Sequence, residues 1–161
     1  MKEVRNVVTH VMNLSASPDR VFPLLCPVRE YDWIEDWKCR LVWSKSGVAE
    51  LDCVFETNLG GESELWTTVV YEPPQRIHYL VVGRETVRRL ALELKTSGTG
   101  TQLTWTDTDT ARTEQGTILM QERLERLKPE LAMLERMLEH YLVHGKMLPR
   151  CELNGQDPKN R

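Results

Sequence analysis

Long apolar runs are missing from this chain. No stretch approaches the roughly 20 residues needed to cross a bilayer, so no integral membrane contact is expected. The opening Met1-Lys2-Glu3-Val4-Arg5-Asn6 has no apolar core and no cleavage site, which points to a cytoplasmic protein. Cysteine is sparse: Cys26, Cys39, Cys53 and Cys151 are widely spaced, with no C-x-x-C pair to suggest zinc or a redox centre. In a reducing compartment they read as thiols. Positive charge is not in excess either. Lys plus Arg number 21 against 24 Asp plus Glu, a net charge of -3, which makes nucleic acid a poor partner. His78, His140 and His144 lack ligand spacing; the last two are i,i+4 but without H-E-x-x-H, so neither metal nor cofactor is expected.

What is present suits one folded domain. In 161 residues, 40% are hydrophobic and 28% charged, an ordinary globular balance. A chain of about 150 residues can bury roughly 70% of its unfolded surface. Val4 to Leu14 alternates and reads as a strand. Ser17-Pro18-Asp19 then starts a short helix, with a hydroxyl cap, Pro at the first position and an acid at the positive end of the dipole. A second short helical segment, Val28 to Asp36, carries Tyr31, Trp33 and Ile34, with Trp37 just beyond. Six strands are predicted at 38–46, 49–57, 63–72, 76–83, 86–96 and 101–110. The joints between them are turn chemistry, such as Ser46-Gly47, Pro73-Pro74-Gln75 and Ser97-Gly98-Thr99-Gly100. Such short links imply an antiparallel meander. From about Thr113 the period becomes 3.6, with Met120, Leu124, Leu127, Leu131, Leu134, Leu138 and Tyr141 or Leu142 on one stripe. Pro129 should kink or split this helix, and Gly145 should cap it. The polar tail 149–161 is expected to be disordered.

Four motifs carry a family resemblance. Leu14-Ser15-Ala16-Ser17-Pro18-Asp19-Arg20-Val21-Phe22-Pro23-Leu24-Leu25 resembles the opening of the START/polyketide cyclase-dehydratase/birch-pollen-allergen (SRPBCC) superfamily. Val28 to Trp37 resembles the turn that follows it there. Glu72-Pro73-Pro74-Gln75-Arg76-Ile77 is similar to the family's D/E-P-P-x-R-I/L hairpin, and Gly100-Thr101-Gln102-Leu103-Thr104-Trp105 to its G-G-T-x-V-T-W strand start. The resemblance covers residues 1–148 and points to a bacterial branch. It implies an α+β helix-grip fold: a seven-stranded curved antiparallel sheet in the order β-α-α-β6-α, wrapped around a long C-terminal helix. A ligand cavity would lie between sheet and helix. Lipid carriers, cyclases and chaperone activators share this fold, so it does not by itself assign a function.

Alternation gives the expected inward set. Met12, Trp43, Phe55, Trp66, Thr68, Tyr79, Leu92, Trp105, Met120, Leu124 and Leu127 are the candidate ligand-binding residues, with Leu41, Leu51 and Cys53 on the same face. The phase of strands 63–72 and 76–83 is ambiguous, since both are apolar on two faces. Asp107 and Asp109 share the phase of Leu103 and Trp105, and His10 shares that of Met12. The resemblance makes the first and last strands neighbours, so His10 and Asp107 could form a catalytic acid–base pair. The default reading instead makes Thr106 to Thr110 a solvated strand end, with His10 on an outer face. The leading functional expectation is binding of a hydrophobic small molecule, a lipid, polyketide or aromatic metabolite, by a monomer or homodimer. The alternatives are a cyclase/dehydratase-like enzyme using that pair, and an interaction module of the chaperone-activator type presenting Trp33–Trp37 or the last helix.

Overall fold

The computed structural model describes residues 4–59 and 61–154. Seven strands form one antiparallel sheet: β1 (Arg5–Leu14), β2 (Arg40–Trp43), β3 (Val54–Leu59), β4 (Glu62–Glu72), β5 (Arg76–Val82), β6 (Thr86–Ser97) and β7 (Gly100–Ala111). Their order across the sheet is β1-β7-β6-β5-β4-β3-β2, so the first and last strands pair while the others follow as a meander. Short helices α1 (Pro18–Val21) and α2 (Pro27–Glu30), joined by the 3-10 turn Phe22–Leu25, separate β1 from β2. Helix α3 (Glu114–His144) lies against β1 and β7. This is the expected α+β helix-grip fold. No helix among the described residues is long and apolar enough to cross a membrane.

The concave side is covered by two lids. Leu24, Leu25 and Trp33 from the α1–α2 segment are buried, the indole of Trp33 donating to the Leu24 carbonyl at 2.8 Å. Trp37 is half-buried and donates to the Pro27 carbonyl at 2.8 Å. Trp33 is therefore core and Trp37 packs against that core, with both N–H groups satisfied internally. The second lid is α3, which buries Met120, Leu127, Leu131, Met137, Leu138 and Leu142. It runs unbroken through exposed Pro129, where a split was expected.

The two sheet edges are handled differently. A free strand edge presents unpaired amides that can template aggregation. Along β1, α3 supplies carboxylates to them: Glu135 Oε1 accepts from the Asn13 amide at 2.9 Å, and Glu139 Oε2 from that of Ser15 at 3.0 Å. At the other edge β2 is only four residues long and carries a register break. Leu41 faces Phe55 while Trp43 faces Val54, so an extra residue is inserted between them. Such a bulge bends an edge away from further pairing.

Several boundaries differ from expectation: β2 is shorter than 38–46, and α2 ends well before Asp36. Residues 49–53 are not strand, because Asp52 takes a positive φ of 63° that interrupts the extended backbone. The predicted tail also begins with structure. Helix α4 (Arg150–Asn154) buries Leu153, and the Arg150 amide donates to Glu35 Oε2 at 2.6 Å; the rest of that tail lies outside the described residues.

The start of α3 is seated tightly. The Thr113 hydroxyl caps it, accepting from the Gly116 amide at 3.0 Å, as an N-cap threonine does. A Cβ on Gly116 would stand 2.2 Å from the Glu85 carbonyl oxygen. We predict that Gly116→Ala lowers stability by about 1–3 kcal/mol despite alanine's better helix propensity, because backbone must shift to admit the methyl. Chemical unfolding of the variant measures it; an unchanged or raised stability would contradict the packing argument.

Candidate functional site

Strand alternation aims Glu64 of β4, Arg88 of β6, and Asp107 and Asp109 of β7 at the concave side. Each shares the phase of buried apolar neighbours: Trp66 and Thr68, Leu90 and Leu92, Leu103. Helix α3 adds Arg123, one turn beyond Met120. These five charged side chains meet. Arg88 Nη2 lies 2.7 Å from Glu64 Oε2, and Nη1 lies 3.4 Å from Asp107 Oδ2. Arg123 Nη1 lies 2.7 Å from Asp109 Oδ2, and Nη2 lies 3.5 Å from Glu64 Oε1. Glu64 thus bridges both guanidiniums. The Arg88 guanidinium also stands 5.4 Å from the centre of the Trp66 ring, within cation–π range. Removal from water pushes the Asp107 carboxyl above the usual carboxylate range, and Asp109 adds to this; the Arg88 charge opposes both.

A hollow opens beside this cluster, lined by Asn6, Val8, Asp107, Asp109, Met120, Arg123, Leu124 and Leu127. Its free volume is about 10 Å³, room for about one water-sized group. A larger hollow of about 600 Å³ lies elsewhere, along Glu135, Glu139, His140 and His144. It is an open surface groove, and two of its carboxylates are already engaged in closing the β1 edge. The buried charges border the small hollow.

The expected ligand-binding residues divide accordingly. Met12, Phe55, Trp66, Thr68, Tyr79, Leu92, Met120 and Leu127 are buried as the alternation requires, which gives the phase of β5 and of β4 up to Thr68, where a register shift changes it. Most line no common space. Phe55, Trp66 and Tyr79 pack on one another with ring centres 5.3–6.0 Å apart. The Tyr79 hydroxyl donates to the Leu25 carbonyl at 2.9 Å, and the Thr68 hydroxyl meets Cys53 Sγ at 3.1 Å. Expected to line a ligand cavity, the Phe55, Trp66 and Tyr79 rings instead pack on one another. Trp105 is half-buried, opposite His10 across the β1–β7 ladder.

Two residues lie off the inward face, and a third sits at its margin. Trp43 is 55% exposed, because the bulge in β2 places it opposite Val54, where regular pairing from Leu41–Phe55 would have set it opposite inward Cys53. Leu51, 52% exposed, belongs to the loop that Asp52 creates. Leu124 is 40% exposed, since the helix turns positions 120, 123 and 127 to the sheet and leaves 124 at the hollow's margin.

The acid–base pair does not form. His10 does face the helix side, but its Nε2 lies 3.0 Å from Glu135 Oε2, while Asp107 is held by Arg88. Nor is the Thr106 to Thr110 run a solvated strand end, for Asp107 and Asp109 are 3% and 4% exposed. Glu64, Arg88 and Arg123 were missed in the sequence. The signal was there: Glu64 and Arg88 sit on inward strand positions, and Arg123 lies beside the apolar stripe.

No protein-family model and no curated protein matches the sequence. Solved structures do match in shape. CalU16 from Micromonospora echinospora has a TM-score of 0.62 at 18% identity, over 92% of this chain and 81% of that one. The Aha1 dimer from Colwellia psychrerythraea has a TM-score of 0.64 at 15% identity, over 88% and 98%. DynU16, a protein in the dynemicin biosynthetic locus, has a TM-score of 0.61 at 18% identity, over 87% of this chain. This chain spans about half, 48%, of DynU16. At such identities the likeness establishes architecture, and the architecture these chains share with this one is the helix-grip fold.

Proposed function

We propose that this protein binds a small organic molecule between α3 and the inner sheet face. The polar part of the ligand would rest on the Glu64–Arg88–Asp107–Arg123–Asp109 cluster, and its apolar part on Met120, Leu124 and Leu127. The observation that carries this reading is the cluster itself. Buried ion pairs are a poor route to stability, because desolvation offsets much of their attraction and apolar side chains of similar size often do better. Perturbed, mutually bonded charges beside a hollow are instead a mark of a functional site. A purely hydrophobic ligand fits this lining less well than an amphipathic one, since burying it against the carboxylates would leave them without partners. The place of DynU16 in a biosynthetic locus supports a small organic molecule as the kind of ligand. Entry requires α3 to yield near Leu124, whose exposed position makes it the natural gate.

Native mass spectrometry of gently purified protein tests the reading. We expect an added mass of small-molecule size that collisional activation removes. A bare chain in every preparation, with no thermal shift across a metabolite panel, would overturn it.

A second reading is an enzyme of the cyclase/dehydratase kind, which Asp107 favours. A carboxyl with a raised pKa next to the hollow is suited to donate a proton. Without a His10 partner, Asp107 would act against Arg88 alone. On this reading Asp107→Asn abolishes turnover while binding persists; loss of both together favours the binding module.

A further inference from the structure

The cluster holds three carboxylates against two guanidiniums, a surplus of one negative charge with all five ionised, although each carboxylate is paired to an arginine. One oxygen of the cluster is left over. Asp109 is 4% exposed, and while its Oδ2 is held by Arg123, its Oδ1 has no hydrogen-bond partner among the described residues. Asp109 lines the hollow, so this oxygen belongs to its wall. Asn6 stands directly across the β1–β7 ladder from Asp109 and lines the same space, and its amide nitrogen is also buried and unpartnered. An asparagine amide can be turned over with little change of shape. Turned, Asn6 would offer its Oδ1 to the point that Asp109 faces. The rest of the lining is Asp107 and Arg123, which is held by Asp109 and Glu64, and the apolar Val8, Met120, Leu124 and Leu127.

We propose that the hollow receives a protonated amine carried on an apolar body. The ammonium is seated on Asp109 Oδ1, with Asn6 as second acceptor, and the carbon chain runs out past Met120 and Leu124. This deepens the reading above and rests on it, by naming the ligand class. The chemistry selects among occupants. An anion would meet a surplus of its own sign. A water molecule could bridge Asn6 and Asp109 but would leave the surplus charge in place, and burial makes an uncompensated charge expensive. An ammonium is about the size of a water molecule, fits the free volume, discharges the surplus and donates to both acceptors. The apolar wall then recognises whatever the nitrogen is attached to.

The probe is n-hexylammonium at pH 7, compared with 1-hexanol and hexanoate of the same chain length, by titration calorimetry and by the fluorescence of nearby Trp66 and Trp105. The expected result is that hexylammonium binds at least tenfold more tightly than hexanol, with hexanoate weakest. Asp109→Asn should abolish that preference and leave the two neutral-pH affinities of amine and alcohol within about twofold. Because Asp109 also holds Arg123, a variant that spares the cluster is needed. Leu124→Trp, at the exposed margin, should weaken hexylammonium about tenfold while the thermal midpoint stays near that of the parent. Equal binding of amine and alcohol, a preference that survives in Asp109→Asn, or no binding by any of the three would each overturn the amine assignment. In the first two cases a small molecule still binds, and the broader reading stands; in the third, the native mass measurement above decides it.

Discussion

Arg88→Met is expected to lower the unfolding free energy by about 3–5 kcal/mol at neutral pH, the loss typical of removing one partner from a buried ion pair. Methionine fills much of the same volume, so the loss is chiefly electrostatic. It strands Glu64 and Asp107, which Arg88 now meets at 2.7 and 3.4 Å. Two controls separate this from a packing defect. Adding Glu64→Gln and Asp107→Asn removes the stranded charges and should recover most of the loss, so a triple variant more stable than the single one is the diagnostic outcome. Lowering the pH should also narrow the deficit, because protonation neutralises the same carboxylates. A deficit of equal size at pH 5 and pH 7.5 in urea unfolding would show that Arg88 acts through its stem and not its charge.

Glu30→Gln is expected to raise stability by about 2 kcal/mol at pH 8 and to leave it nearly unchanged at pH 4. Glu30 closes α2, part of the lid whose Leu25 carbonyl holds the Tyr79 hydroxyl, and removal from water pushes its carboxyl up to about 8 from an ordinary 4.5. Between those values the folded protein holds a proton that the unfolded chain releases. Raising the pH through that window therefore costs stability in the parent, and glutamine is free of the effect. One pKa unit corresponds to about 1.4 kcal/mol, and the side chain is only half-buried, so the expected gain is well under the full conversion. Urea unfolding of parent and variant at the two pH values measures it. A difference that does not grow from pH 4 to pH 8 would mean that Glu30 ionises freely in the folded state.

Much of this architecture can be read from periodicity. Alternation at Leu103, Trp105, Asp107 and Asp109 gives the inward face of β7 without further information, because side chains two apart share a side of any strand. The same rule places Glu64 and Arg88 inward. They were overlooked because a charged residue is ordinarily assigned to the surface, and a lone inward charge makes no sense until its partner is known. Thr113 and Gly145 announce the two ends of α3 through local backbone chemistry: a hydroxyl for the first turn, and a residue that accepts the φ of 66° at the last.

Trp43 shows where such reading stops. The residue inserted between Leu41 and Trp43 changes the phase, and an insertion is defined only against the partner strand. His10 shows the same limit for chemistry. Its face was legible, but its partner is Glu135, 125 residues away on α3, and how the helix is rotated and seated on the sheet chose that residue. The amino-acid sequence by itself therefore determined the elements, their ends and the direction in which most side chains point, since these depend on neighbours a few residues apart. Only the tertiary structure decided that five charges from three strands and a helix converge, and that a charged hollow opens where an apolar ligand cavity was expected. Those outcomes depend on distances between elements, which pairing register, bulges and helix seating set together.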